Sequence, residues 1–122
     1  MSLEKRLVGD IHVLVPHKNL VGGDETRELS AAIQEILAAG PPRIVIDLGK
    51  VSFLNSTGLG ALVAGHVSCN NRQGWFRVAR TTKRIDNLFL ITKLSFVFET
   101  FDTVEEALVG EHSPEKPNGG GK

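Results

Sequence analysis

Cysteine is nearly absent from this sequence, and neither sign of charge is in excess. Cys69 is the single cysteine, so no disulfide can form within the chain. Lysine plus arginine number 14 and aspartate plus glutamate also number 14, which gives a formal net charge of +0. A balanced charge does not favour nucleic acid, a membrane surface or an acidic substrate as the partner. We therefore expect a protein partner, with no nucleic acid and no membrane.

Long apolar segments are lacking as well. No stretch is apolar over the length that a membrane-spanning helix needs, and no charged start followed by an apolar run indicates a secretory leader. A chain of 122 residues fits one domain that can bury a core without disulfides or metals. We expect a single cytoplasmic domain that needs no cofactor and no metal.

An apolar run, a polar turn and a change of period lie at the centre of the chain. The run predicts a strand buried on both faces of a parallel sheet, and its members are Ile44, Val45, Ile46 and Leu48. From Leu59 the apolar spacing changes to three and four, which predicts a helix. The face expected to pack on the sheet comprises Leu59, Leu62, Val63, His66, Val67 and Asn70.

The turn between this strand and helix contains three consecutive residues that are good helix N-caps, Asn55, Ser56 and Thr57. Only one of the three can be the cap. For Ser56, spacing alone favours the role of a plain cap over that of a phosphoacceptor. The other two stay available to a partner, where the helix dipole favours negative charge such as a phosphate. Gly58 and Gly60 add no side chain, so we expect the first helical turn to stay open to close approach from outside.

The segments before the turn predict an edge hairpin and a helix. Two β-prone runs, 3–8 and 11–15, are separated by Gly9-Asp10 at hairpin spacing. A loop over 17–23 follows. Asp24 is then predicted to cap a helix over 25–39.

The segments after the turn predict two more strands and two more helices. A strand is expected over 75–79, and Thr81 or Thr82 should cap the next helix. A short strand is expected over 96–98. Thr103 and Glu106 form a capping box that opens a last helix ending near Val109. Residues 110–122 are rich in Gly, Pro and charge, so we expect a disordered tail.

Strands that alternate with helices predict an α/β fold with a mostly parallel sheet, entered through the antiparallel hairpin. Strand order stays open at this point. The run Asp47-Leu48-Gly49, followed by the residues from Asn55 to Gly60, NSTGLG, resembles the signature of the anti-sigma factor antagonist family, also called the STAS domain. Asn55 stands where most phosphorylated members carry Asp, and Lys93 stands where the family usually has Gly.

The resemblance extends in element order from about residue 3 to residue 109, and it implies a fold. The implied domain, 1–109, has a small mixed sheet with an N-terminal edge hairpin. About four helices pack mainly on one face of that sheet, and the serine turn lies at the carboxyl end of the central strand.

The resemblance also implies a function, that of a phosphorylation-controlled protein-interaction switch with no catalytic residues. Ser56 would be the phosphoacceptor, with Thr57 as the fallback. The implied partner-binding residues are Asp24, Asn55, Ser56, Thr57, Gly58, Leu59 and Gly60. The implied partners are an anti-sigma factor with serine kinase activity and a phosphatase that acts on the phosphoserine, and a homodimer is left open.

Other interpretations compete with the switch. Gly58-Leu59-Gly60 is part of a dinucleotide fingerprint, but Val63 occupies the place of the third glycine. His66 and Cys69 could be metal ligands, although no second ligand pair accompanies them. A basic stretch from Arg72 to Arg84 is weak support for RNA binding. Asn55 keeps open a STAS scaffold or ligand sensor that is never phosphorylated.

Overall fold

A five-stranded sheet organises the computed structural model, which describes residues 2–112. Its strands follow the chain order, and they are β1 (Glu4–Val8), β2 (Ile11–Val15), β3 (Arg43–Asp47), β4 (Trp75–Ala79) and β5 (Glu99–Phe101). β1 pairs with β2 antiparallel through the Gly9-Asp10 turn, and the other neighbours are parallel. The predicted mixed, mostly parallel sheet with an edge hairpin is confirmed.

Three helices connect the parallel strands, and they are α1 (Asp24–Leu37), α2 (Ser56–Asn71) and α3 (Lys83–Ile91). A fourth helix, α4 (Val104–Val109), follows β5. A 3-10 turn, Leu94–Phe96, lies between α3 and β5. Thr82, the second of the two candidate caps, accepts a hydrogen bond from the Ile85 N–H. Thr103 accepts one from the Glu106 N–H, while the Glu106 carboxylate accepts from the Asp102 N–H.

Two apolar cores cover the two faces of the sheet. The larger contains Ile44 and Ile46 of β3 with buried side chains of α1, α2 and α3. The smaller contains Val45 of β3 together with Ala107 of α4. The alternation along β3 therefore places its neighbouring side chains in different cores, which confirms a central strand buried on both faces.

α4 packs on the opposite face of the sheet, where Arg77 contacts the helix and an aromatic stack holds the residues that follow it. The Arg77 guanidinium lies 3.7 Å from the centre of the Trp75 ring and donates to the Ala107 carbonyl at 2.9 Å. Gly110 ends α4 with a φ of 74°, and the ring of His112 stacks on Phe101 at 4.4 Å. Residues 113–122, most of the predicted disordered tail, lie outside the described residues.

The predicted strand over 96–98 is wrong. Lys93 ends α3 with a φ of 64°, and the chain then tightens so that the Phe98 N–H donates to the Leu94 carbonyl. Leu94 and Phe98 reach the larger core, whereas Phe96 is 88% exposed. The last strand forms three residues later, at Glu99–Phe101, because pairing with β4 sets its register.

The predicted buried face of α2 is partly wrong. Leu62 is buried as expected and Leu59 and Val63 pack at the margin of the core, but Val67 and Asn70 are exposed. The residues that face the core are instead Gly58, Leu62, Gly65 and Cys69. Small side chains allow the helix to approach the sheet closely, since a Cβ on Gly65 would lie 2.8 Å from the Phe76 ring.

Candidate functional site

The turn before α2 is carried by a loop whose apolar residues are anchored in the core. Leu48, Val51 and Leu54 are buried, while Ser52 and Phe53 between them are exposed. The Leu48 N–H donates to the Ala79 carbonyl at 2.9 Å, which continues the β3–β4 pairing past the end of the strand. The loop therefore delivers residues 55–60 to the carboxyl edge of the sheet in a fixed position.

Asn55 is the N-cap of α2, and its side chain bonds in two directions. The Oδ1 atom accepts from the Gly58 N–H at 3.0 Å, and the Nδ2 group donates to the Val21 carbonyl at 3.0 Å. One partner is a donor and the other an acceptor, so the network fixes the orientation of the amide. An aspartate at this position could make only the first of these bonds.

Ser56 is therefore not the cap, contrary to the preference from spacing. It is the first residue of α2, its side chain is exposed, and its hydroxyl forms no hydrogen bond within residues 2–112. Thr57 is exposed beside it. The first turn of this helix contains no acidic residue, so nothing on it opposes the positive end of the helix dipole.

The loop between β2 and α1, residues 16–23, is held against the serine turn by its backbone. The Leu20 N–H donates to the Phe53 carbonyl and the Asn55 N–H donates to the Leu20 carbonyl, both at 3.3 Å. The Asn19 Oδ1 atom accepts from the Ser52 and Phe53 N–H groups at 2.9 and 3.2 Å. The two loops thus form one unit.

Gly58 is required by this contact. A Cβ at Gly58 would lie 2.0 Å from the Leu20 carbonyl oxygen, a distance that no side chain can accommodate without moving the loop. The expectation that Gly58 leaves the helix open to an outside partner is wrong, because the loop from β2 occupies that space. Gly60 fits the expectation, since it is exposed and a Cβ there would meet nothing within 4 Å.

Asp24 does not cap α1, contrary to the prediction. Gly23 is the N-cap and provides no side-chain bond, while Asp24 is the first helical residue, exposed and paired with Arg27. A Cβ on Gly22 would lie 3.2 Å from the Thr57 side chain. Asp24 follows this contact by two residues, and its side chain is exposed.

Glu25 holds the loop through hydrogen bonds, a role that the sequence analysis did not predict. Its carboxylate is buried and accepts hydrogen bonds from the Ser2 hydroxyl and, at 2.6 Å, from the His17 N–H. Burial raises the pKa of Glu25, but the bonds from Ser2 and from the His17 and Lys18 backbone outweigh it and hold the pKa below 4.5. The available signal was its position four residues before Leu29, on the apolar face of α1.

The aspartate of the sequence signature shapes the start of the β3–α2 loop. The Asp47 Oδ1 atom accepts from the Gly49 N–H and from Arg80 Nε, each at 2.9 Å, and the Asp47 side chain is buried. A Cβ on Gly49 would lie 2.0 Å from the Arg80 guanidinium. Asp47 and Gly49 thus set the direction in which the chain leaves β3.

The competing sites receive no support from the geometry. Cys69 is fully buried, and this burial raises the pKa of its thiol to about 11. His66 lies edge-on to the Phe76 and Phe98 rings, and within residues 2–112 no group of three or more His, Cys, Asp or Glu could hold a metal ion. In the basic stretch, Arg77 and Arg80 are engaged by contacts within the domain.

The geometry defines a small mixed-sheet domain that presents an exposed serine at a helix start. The sequence matches the family model of the STAS domain over residues 9–107, and the chain belongs to this family. No helix in the described part of the chain has the length and apolar character to cross a membrane.

Two relatives and two solved structures illustrate the family. The Thermotoga neapolitana homologue of TM1081 is 27% identical over 103 residues, 84% of this chain and 91% of that protein. The anti-sigma-F factor antagonist RsfB of Mycobacterium tuberculosis is 37% identical over 84 residues, 67% of this chain and 66% of that protein.

The solved structures share the fold. The crystal structure of TM1081 from Thermotoga maritima superposes with a TM-score of 0.82 at 23% identity, covering 88% of this chain and 92% of that one. The phosphorylated form of SpoIIAA, a Bacillus cell fate determinant, gives a TM-score of 0.71 at 17% identity, covering 89% and 98%.

Proposed function

We propose that this chain is an anti-sigma factor antagonist whose binding is switched by phosphorylation of Ser56. The observation that carries the proposal is the division of labour at the start of α2, where Asn55 caps the helix and leaves the exposed Ser56 hydroxyl without a bond within residues 2–112. The name of the relative RsfB and the fold shared with SpoIIAA support the same function.

The unphosphorylated turn is the proposed binding surface for an anti-sigma factor in the cytoplasm. Its accessible side chains are Ser56, Thr57 and Asp24, with Leu59 at the margin and Gly60 leaving room for a partner backbone. Asn55 and Gly58 act beneath the surface, because their atoms are committed to the loop from β2. The chain acts in this proposal as a binding protein, not as an enzyme.

Phosphorylation changes the interface more than the fold. A phosphate adds about −1.5 to −2 charges, which the positive end of α2 tolerates. The same charge and bulk would lie in the middle of a docked partner surface and would exclude it. The kinase activity belongs to the anti-sigma factor, with ATP as its substrate, and a phosphatase restores the hydroxyl. Thr57 is the fallback acceptor.

The test is phosphorylation followed by intact-mass measurement and mapping of the modified residue. The chain is incubated with its purified anti-sigma factor and ATP, and affinity for that factor is measured before and after modification. We expect one phosphoryl group on Ser56 and weaker binding afterwards. Ser56→Ala should bind without being modified, whereas Thr57→Ala should still acquire one phosphoryl group. Phosphate on the Ser56→Ala variant would contradict the site assignment.

A second candidate function has one specific observation in its favour. The Asn55 amide donates to the Val21 carbonyl, so this chain has a neutral residue and a committed hydrogen bond where a carboxylate could assist the serine. This favours a constitutive STAS scaffold or ligand sensor that is never phosphorylated. The same incubation separates the two functions, because a scaffold acquires no phosphate while its partner binding persists.

A further inference from the structure

The end of α3 and the 3-10 turn after it expose apolar side chains that the core does not use. We call these residues the α3 patch, and they are Leu90, Ile91, Phe96 and Val97. Ile91 is 78% exposed and Phe96 is 88% exposed. Single exposed apolar residues are ordinary on protein surfaces, but adjacent ones that form a continuous patch mark interaction sites.

The patch is not a consequence of a poorly formed core. On the inner side of the same segment, Ile85, Phe89 and Phe98 are buried and Leu94 packs against them. The left-handed Lys93 turns the chain so that Leu94 points inward while Phe96 stays outside. The exposed residues are therefore additional to the residues that hold α3 on the sheet.

A groove of about 230 Å³ lies between α3 and the β3–α2 loop. Leu54, Ile85 and Leu88 line its inner side, and Phe53 and Ile91 line its sides. Ile91 belongs to both the patch and the groove. Phe53 belongs to the β3–α2 loop and precedes Asn55 by two residues. The groove therefore includes a residue of the loop that carries the serine turn, and it shares Ile91 with the α3 patch.

The charges around this surface indicate what kind of partner it fits. Lys83, Arg84 and Lys93 form no ion pair within the described residues, and Arg84 lies over the Phe53 ring at 5.5 Å. The acidic residue of α3, Asp86, accepts a hydrogen bond from Thr81 at the helix start. A second copy of this chain would bring these basic groups against their own kind, whereas an acidic partner would complement them.

We propose that the groove and the α3 patch form a second docking surface, continuous with the Ser56 turn, for an apolar and acidic segment of the same anti-sigma factor. This inference rests on the proposed function. One part of the interface, at Ser56, responds to phosphate, and the other, on α3, supplies apolar contact that phosphate does not reach. The α3 contact therefore sets the residual affinity of the phosphorylated chain.

The experiment measures the affinity of the purified anti-sigma factor for variants of the full chain by calorimetry. Ile91→Ser with Phe96→Ser removes the apolar centre of the surface. Leu7→Ser with Val109→Ser is the matched control, because those residues are 63% and 68% exposed and lie on β1 and α4. We expect the first pair to weaken binding at least tenfold and the control to change it less than twofold, with both variants folded as judged by thermal melting.

A charge-reversed variant tests the acidic character of the partner separately. Lys83→Glu with Arg84→Glu should weaken binding and flatten its dependence on salt, while Lys5→Glu on β1 should change neither. If wild type binds and both α3 variants bind equally well, the second docking surface is overturned and the proposed function stands. If wild type itself fails to bind, the proposed function is overturned. A concentration-dependent dimer of the chain alone that the Ile91→Ser, Phe96→Ser variant loses would assign the surface to a second copy and overturn the proposal.

Discussion

The starts of α1 and α2 lie next to each other and hold the same loop by opposite means. At α2 the cap residue, Asn55, reaches out to the Val21 carbonyl of the loop. At α1 the cap, Gly23, contributes no side chain, and the first-turn residues Glu25 and Thr26 accept hydrogen bonds from loop N–H groups instead.

The difference explains which side chains are free to act. Glu25 and Thr26 are buried because they hold the loop, whereas Ser56 and Thr57, in the first turn of α2, are exposed. Because Asn55, the residue before α2, both caps the helix and holds the loop, the side chains of the first turn of α2 remain available to a partner.

Gly58→Ala should have the largest effect on stability. The added Cβ would meet the Leu20 carbonyl oxygen at 2.0 Å and push the two loops apart. We expect a loss of about 3 kcal/mol in the free energy of unfolding, typical of overpacking against a rigid neighbour. Urea denaturation is the measurement.

Gly60→Ala is the control for Gly58→Ala, because a Cβ there meets nothing and the helix propensity improves. The free energy of unfolding of this variant should rise by up to about 1 kcal/mol. Equal effects of the two substitutions would show that the loop does not press on the helix start.

Glu25→Gln should break the support of α1 while keeping the volume of the side chain. The carboxylate uses one oxygen for Ser2 and the other for the His17 N–H, but an amide has only one oxygen, and its NH₂ group would face a donor. We therefore expect the free energy of unfolding to fall by about 2 kcal/mol at neutral pH. Denaturation of both proteins at pH 7 checks the value.

The pH dependence of stability gives Glu25 a second signature. Its folded-state pKa lies below the ordinary 4.5, so its contribution is present above about pH 4.5 and is lost as the pH falls further. The difference between wild type and Glu25→Gln should therefore shrink on acidification below pH 4.5. A difference that stays constant down to pH 3 would contradict the role of the carboxylate.

Asn55→Asp should have a smaller effect, because only one of the two bonds is lost. The carboxylate still accepts from the Gly58 N–H, but it cannot donate to the Val21 carbonyl, and we expect a cost of about 1 kcal/mol. Asn55→Ala removes both bonds. Comparing it with Thr103→Ala, where only a local cap bond is lost, isolates the cross-loop bond by denaturation. No difference between the two alanine variants would show that the bond to Val21 adds nothing.

Ser56→Asp should have the smallest effect on stability and a large effect on binding. The residue is exposed at the positive end of α2, so the melting free energy should stay within about 0.5 kcal/mol of wild type. Affinity for the anti-sigma factor should fall at least tenfold, as measured by calorimetry. A variant that binds as well as wild type would place Ser56 outside the interface.

Local patterns in the sequence were sufficient for the elements whose signals are complete within a few residues. The edge hairpin at Gly9-Asp10, the apolar β3 and the cap at Thr103 were all predicted from such signals. The cap of α2 could not be chosen from the sequence, because Asn55, Ser56 and Thr57 were all candidates and the choice depended on the Val21 carbonyl, 34 residues from Asn55. The error at Asp24 is one of position, because α1 begins one residue earlier than expected and Gly23 becomes its cap.

The prediction of a strand over 96–98 was wrong for a related reason. Its residues are apolar and β-prone, but the register of β5 is set by β4, through Val78 opposite Thr100. The role of Glu25 was not predicted, because the sequence shows a carboxylate on an apolar helix face but not its hydrogen-bond donors, Ser2 and His17. Long-range partners, which no local window contains, account for these misses.

The position of α4 on the opposite face of the sheet has a practical consequence for measurements of partner binding. Arg77 ties α4 to the back of the sheet, and His112 stacks on Phe101 of the same face, so the chain leaves the described domain on the side opposite α1, α2 and α3. A fluorophore or surface tether attached at residue 112 would lie behind the sheet. The serine turn and the α3 groove would then both face the solution, where an injected partner can reach them.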